Sequence, residues 1–154
     1  MDKYYLCIDL KSFYASVECV ERGLDPFKVN LVVADPTRGP GAITLAATPA
    51  IKKLGIKSRG RIFEIPKHIK YEIAMPRMKL YMEYAARIHE IFLKYISSED
   101  IHVYSIDESF LDISSYLNLY KMNPKQIAFM IIQDIFKETG ITATAGIGTN
   151  LFLS

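Results

Sequence analysis

The spacing of apolar positions changes several times along the chain, and each change marks an element. Tyr4 to Ile8 is a continuous apolar, β-prone run that Asp9 closes. Ser12 precedes a helical pattern from Phe13 to Arg22, which Gly23 ends. Val29 to Ala34 reads as a second buried strand, followed by the turn-rich loop Asp35-Pro36-Thr37-Arg38-Gly39-Pro40-Gly41, and Ala42 to Ala47 extends again. A side-chain cap at Thr48, a preset first residue at Pro49 and a left-handed stop at Gly55 bound a short basic helix from Pro49 to Leu54.

From Arg77 to Ile96, Tyr81, Tyr84, Ala85, Ile88, Phe92 and Tyr95 recur at helical spacing with charges between them, which predicts a long amphipathic helix lying on a sheet. Ile101 to Ile106 and Ser109 to Ile113 are strands separated only by Asp107-Glu108, a tight hairpin with both acids at its tip. Asn123-Pro124 opens a last long helix with Ile127, Ile131 and Ile135 on one face and Gly140 after its end, and Thr142 to Ile147 is a final strand. No internal repeat or low-complexity segment is present. The pattern is an α+β, two-layer βαββαβ series interrupted by a mixed segment, as if a small lobe were inserted.

That order has a chemical consequence. In a split βαβ arrangement the first strand and the strand entering the hairpin run parallel, with the return strand antiparallel between them, so their C-terminal ends share one edge. Asp9 lies at one of those ends and Asp107-Glu108 at the other. Carboxylates crowded together repel unless a cation neutralises them, and oxygen donors at strand ends suit Mg²⁺.

Composition narrows the class without naming it. The 154 residues are 50% hydrophobic, enough for one core with a modest lobe, and disorder is not indicated. A formal net charge of +2 does not by itself announce a nucleic-acid binder, so the location of the cations has to decide. Lys52, Lys53, Lys57, Arg59 and Arg61 form a basic stretch in the inserted lobe that could meet triphosphate or template backbone. Cys7 and Cys19 lack C-x-x-C spacing and read as buried apolar thiols, as a reducing cytoplasm permits. There is no signal-peptide pattern and no apolar run near the ~18 residues of a membrane span, so the reading is a soluble cytoplasmic protein. His68, His89 and His102 have no metal-ligand spacing and read as structural.

Two motifs carry a family resemblance. Asp9-Leu10-Lys11-Ser12-Phe13-Tyr14-Ala15-Ser16-Val17-Glu18 and Ser105-Ile106-Asp107-Glu108-Ser109-Phe110-Leu111-Asp112 resemble the signatures of Y-family translesion DNA polymerases of the UmuC/DinB branch. The likeness extends to Lys52-Lys53-Leu54-Gly55-Ile56 and to Thr144-Ala145-Gly146-Ile147-Gly148-Thr149-Asn150. It implies a ferredoxin-like palm from residues 1–10 and 77–154 and fingers from residues 11–76. It also implies a two-metal nucleotidyl transferase acting in translesion synthesis, DNA repair and the SOS response to damage. Asp9, Asp107 and Glu108 would be the catalytic metal ligands, with the Leu10 carbonyl a further contact to the nucleotide-side ion of two Mg²⁺. Phe13, Tyr14 and Lys52 would contact the nucleotide, Tyr14 as the steric gate against a ribose 2′-hydroxyl. Asp112 is left out of the metal site.

The partners implied are primer-template DNA, a deoxynucleoside triphosphate and, through a C-terminal region, a sliding clamp; no membrane is implied. A further triphosphate-contacting lysine, a helical thumb and a C-terminal DNA-gripping domain are expected beyond Ser154, with Asn150 to Ser154 an opening helical turn. The chain alone is expected to be inactive. It departs from the commoner family pattern at Lys52, Pro49 and Ala46, where an arginine, a tyrosine and a threonine are usual. The alternatives are a nucleotidyl-cyclase-like palm enzyme, which would show a Gly-Gly-Asp/Glu-Glu-Phe hairpin, and a non-catalytic nucleic-acid-binding relative, which would need an aromatic-rich strand for stacking bases.

Overall fold

The computed structural model describes residues 3–149. The chain divides into two compact units, Met1–Lys11 with Met82–Ser154, and Ser12–Tyr81. Among the described residues, no helix is long and apolar enough to cross a membrane.

The first unit is built on a four-stranded sheet. Strand β1 (Tyr5–Leu10) alternates half-buried and buried positions, so Leu6, Ile8 and Leu10 point to one face and Tyr5, Cys7 and Asp9 to the other. The hairpin strands β5 (Ile101–Ser105) and β6 (Glu108–Asp112) and the last strand β7 (Ala143–Gly148) complete it in the order β5-β6-β1-β7. Because β6 is antiparallel to both β5 and β1, β5 runs parallel to β1 with the return strand between them. That is the predicted split topology.

Helices α3 (Met78–Tyr95) and α5 (Pro124–Thr139) give this unit its second layer. On α3, Tyr84, Ile88, Ile91 and Phe92 are buried, and on α5 Ile127, Ile131 and Ile135 are wholly so. Both stripes follow the 3.6-residue period that pointed to them. As the sequence predicts, α5 opens at Asn123-Pro124 and ends before Gly140, which takes φ 77°; the structure adds a capping box in which the Asn123 and Gln126 side chains each accept a backbone N–H of the other. Between the two helices the Asp134 carboxylate accepts from Lys94 at 3.0 Å and from the Tyr95 hydroxyl at 2.6 Å.

In the second unit, α1 (Phe13–Glu21) packs on a three-stranded sheet ordered β3-β2-β4, formed by β2 (Leu31–Val33), β3 (Ala46–Ala47) and β4 (Glu72–Ala74). The short helix α2 (Pro49–Lys52) sends Ile51 into a core with Val32, Ala47 and Ile65. Thr48 caps it, its hydroxyl accepting the Ile51 N–H, and Gly55 turns the chain at φ 89°.

Several local expectations need correction. β2 and β3 are shorter than the apolar runs that suggested them, and α2 ends at Lys52 rather than Leu54. The strand β4 and the short helix α4 (Tyr116–Tyr120) are absent from the sequence pattern, because three and five residues are too few to establish a period. The turn expected at Asn150 to Ser154, and Asn150 of the last motif, lie outside the described residues.

Candidate functional site

Three carboxyl-bearing residues are carried by the end of the first unit's sheet. Asp9 is the fifth residue of β1, one before its end, and is the cross-strand partner of Glu108 on one side and Thr144 on the other. Directly opposed residues of an antiparallel pair project to the same face with Cβ atoms about 5 Å apart. Asp9 and Glu108 therefore share the half-exposed face that the helices leave uncovered. The hairpin differs in detail from the sequence reading: its two-residue tip is Ile106-Asp107, and Glu108 opens β6 opposite Ser105. An irregularity between Val103 and Ser105 passes over Tyr104, so that Ser105, in place of Tyr104, faces Glu108.

Asp107 is fixed through its backbone. The Leu10 N–H donates to the Asp107 carbonyl at 2.9 Å, and the Lys11 N–H to the Thr142 carbonyl at 3.0 Å, so the end of β1 is clamped on both sides. The Asp107 carboxylate accepts from the Ser105 hydroxyl at 2.9 Å. Among the described residues no three His, Cys, Asp or Glu side chains stand close enough together to hold a metal ion as they lie. The register thus brings Asp9 and Glu108 to one place, while the Asp107 side chain turns to its own hairpin. The donor set is chemically uniform: three carboxylates and the carbonyl at the end of β1 offer oxygen only, which suits a hard divalent cation such as Mg²⁺.

Cys7 lies on the same face two residues before Asp9 and is half-buried, a correction to the expectation of a core thiol. Burial, followed by the charges of Glu108 and Asp9, pushes its thiol up. Both carboxylates therefore act on this one position. Cys19 is fully buried as expected, and burial pushes it up to about 11. The Asp112 carboxylate, farther along the same face, accepts the Ser114 N–H at 3.0 Å and closes a local turn.

The second unit holds the remaining candidates. Ser12, just before α1, has φ 47°, a left-handed conformation that is uncommon for a serine. Its hydroxyl makes no cap bond and is a buried polar atom without a partner. The first turn of α1 therefore lacks the side-chain acceptor that helix N-termini usually carry. Phe13 is buried, while Tyr14 is partly exposed and its ring stacks on Tyr81 with centroids 4.6 Å apart and planes 16° from parallel.

Lys52 is partly buried at the end of α2, whereas Lys53, Lys57, Arg59 and Arg61 are exposed. The Arg61 guanidinium donates to the Gly41 carbonyl at 2.5 Å, which ties one end of the side chain to the neighbouring loop and leaves its charge without a carboxylate ion pair among the described residues.

Reading the sequence did not single out the group around Glu18. This acid is completely buried in α1, where it accepts from the Arg77 guanidinium at 3.0 and 2.5 Å and from the Tyr81 hydroxyl at 2.7 Å. The available signal was an acid inside the otherwise apolar or small run Ala15-Ser16-Val17-Glu18-Cys19-Val20.

The βαββαβ sheet with an inserted second unit is the fold of solved Y-family DNA polymerases. The chain belongs to the impB/mucB/samB family, whose sequence model matches residues 8–154. It is similar to DinB from Sulfolobus solfataricus, whose crystal structure superposes with a TM-score of 0.81 at 26% identity over 98% of this chain and 43% of that one. A structure titled as an insertion ternary complex of Dbh DNA polymerase gives a TM-score of 0.81 at 26% identity, covering 97% of this chain and 44% of that one. Among curated proteins, the one named "Putative UV-damage repair protein UvrX" of Bacillus subtilis (strain 168) is 42% identical over 99% of this chain and 35% of its own length. DNA polymerase IV 2 of the same organism is 33% identical over 99% of this chain and 36% of its own. The chain spans about a third of the length of these two relatives.

Proposed function

We propose that the whole protein is a template-directed DNA polymerase of the lesion-bypass class, adding a nucleotide from a deoxynucleoside triphosphate to a primer 3′-end. The unit formed by residues 1–11 and 82–154 is its palm, and residues 12–81 are its fingers. One observation carries this reading: β1 and β6 set Asp9 opposite Glu108 on the uncovered face, and the Leu10 N–H binds the Asp107 backbone at the same strand end. Family membership and the names of the relatives agree with it.

In this reading Asp9, Asp107 and Glu108 hold divalent cations, two Mg²⁺ ions, with the Leu10 carbonyl as a further donor. Bound there, the ions supply Lewis acidity at the primer 3′-hydroxyl and neutralise charge on the triphosphate and departing pyrophosphate. Asp107 would join the set once its carboxylate is released from the Ser105 hydroxyl that it now accepts from. The uncapped first turn of α1 presents N–H groups to phosphate oxygens, and the strained backbone at Ser12 keeps them free of a side-chain cap. Lys52 adds positive charge without the bidentate geometry of an arginine. Tyr14, five positions after Asp9, is the ring that excludes a 2′-hydroxyl. DNA contacts follow from the exposed basic run of the fingers and from the rest of the whole protein, to which a sliding-clamp contact is also assigned.

Primer extension by the whole protein on damaged and undamaged templates tests the proposal. Mg²⁺-dependent addition opposite a lesion supports it. A protein that binds primer-template but extends neither template contradicts it.

A further inference from the structure

Glu18 is a carboxylate with no exposure, flanked in α1 by Val17 and Cys19, which are equally buried. Burying a charge is costly unless donors converge on it. Here they do: Arg77 reaches both carboxylate oxygens, with Arg77 Nε 3.0 Å from Oε2 and Nη2 2.5 Å from Oε1, and the Tyr81 hydroxyl donates to Oε2 at 2.7 Å. Arg22 adds its charge from 3.7 Å. Such a pair is weak evidence of a purely stabilising role, because an apolar replacement of similar volume often does as well. Its distinctive product is a fixed position.

Tyr81 is what becomes fixed. It is fully buried, with its hydroxyl bound to Glu18 and its ring stacked on Tyr14 at 4.6 Å. Tyr14 and Glu18 stand four residues apart on α1, and hence on one face of the helix. Tyr81 therefore touches both, by its ring at one end and its hydroxyl at the other. Stacking alone lets rings slide over one another. A hydroxyl held by a buried carboxylate does not permit that slide, so the surface under Tyr14 is set to one place.

We infer that Glu18 is a positioning residue which, through Tyr81, holds the Tyr14 ring in the pose that discriminates between sugars. The inference rests on the proposed reading of Tyr14 as the ring that excludes a 2′-hydroxyl. No part of the group contacts the reacting atoms in this account.

Single-nucleotide kinetics on the whole protein test it, comparing kcat/KM for ribo- and deoxynucleoside triphosphates in Tyr14→Ala, Glu18→Gln, Tyr81→Phe and the double variant Tyr14→Ala with Glu18→Gln. Tyr14→Ala is expected to raise relative ribonucleotide use most. Glu18→Gln and Tyr81→Phe are expected to raise it roughly fivefold, the scale of one lost hydrogen bond, with deoxynucleotide use little changed. Glu18→Gln should lower Tm in both backgrounds but raise the ratio only where Tyr14 is present, whereas a merely structural role would leave the ratio unmoved in both. Should Glu18→Gln fail to fold, Tyr81→Phe carries the test, since it removes one hydroxyl beneath an intact ring. A ratio that responds to Tyr14→Ala but not to Glu18→Gln or Tyr81→Phe overturns the inference, as does an equal effect of Glu18→Gln with and without Tyr14. A ratio unmoved by Tyr14→Ala overturns the reading of Tyr14 itself, and the inference with it.

Discussion

Glu108 stands directly across the central ladder from Asp9, with both side chains on the face of the sheet that the helices leave uncovered. Like charges opposed on neighbouring strands destabilise a sheet by roughly 0.2–1 kcal/mol. A protein that keeps such a pair gains by it elsewhere, and a bound cation is the proposed gain. Glu108→Gln should therefore raise the Tm measured in a chelator by a small amount and remove the extra stabilisation that Mg²⁺ gives the parent protein. A variant less stable than the parent in chelator would mean that Glu108 serves the fold.

Sugar discrimination is expected to depend on Tyr14. Tyr14→Ala in the whole protein should increase ribonucleotide incorporation far more than it alters deoxynucleotide use. Matched kinetics with the two sugars check this, and unchanged discrimination would leave Tyr14 a packing partner of Tyr81 only.

Lys52 occupies the position where the family pattern more often has arginine. If it meets the triphosphate, Lys52→Ala should raise KM for the nucleotide, and Lys52→Arg should lower KM below the parent value by restoring a bidentate donor. Equal KM values for all three proteins would remove Lys52 from the site.

Acid stability should report on Glu18. Burial alone would raise its pKa, but the bonds from Arg77 and Tyr81 and the charges of Arg77 and Arg22 outweigh burial and hold the carboxyl below its ordinary 4.5. A depressed carboxyl pKa stabilises the folded state fully above the unfolded value, and that contribution fades as pH falls through the folded one. Tm measured from pH 7 downward should drop below about pH 4.5, and Glu18→Gln should flatten the part of that drop owed to this group. An identical acid profile in the variant would assign the drop to other carboxylates.

Much of this was legible in the sequence because it depended on periodicity and punctuation. The stripe Ile127, Ile131 and Ile135, the cap at Thr48, the helix start at Asn123-Pro124, and the glycine stops at Gly55 and Gly140 are local properties, and each takes its expected place. The split topology followed from element order and brought Asp9 and Glu108 onto one edge. What escaped was set by tertiary contact. The hairpin turns at Ile106-Asp107, with an irregularity between Val103 and Ser105 that makes Ser105 the partner of Glu108, and no periodic signal announces a register shift of one residue. Cys7 looked buried because its run is apolar throughout, but only one face of β1 is covered by helices. Glu18, Arg77 and Tyr81 meet across a long stretch of sequence, and their association follows from the packing of the second unit rather than from any local pattern.

Asp9, Asp107 and Glu108 are the proposed catalytic cation site. Primer extension by the whole protein tests this most directly, with Asp9→Asn, Asp107→Asn and Glu108→Gln compared with the parent over a Mg²⁺ titration. The parent should add nucleotides in a Mg²⁺-dependent way, and each variant should fall on the order of 10²-fold or more while primer-template binding persists. Extension at the parental rate by any of the three variants would contradict this assignment.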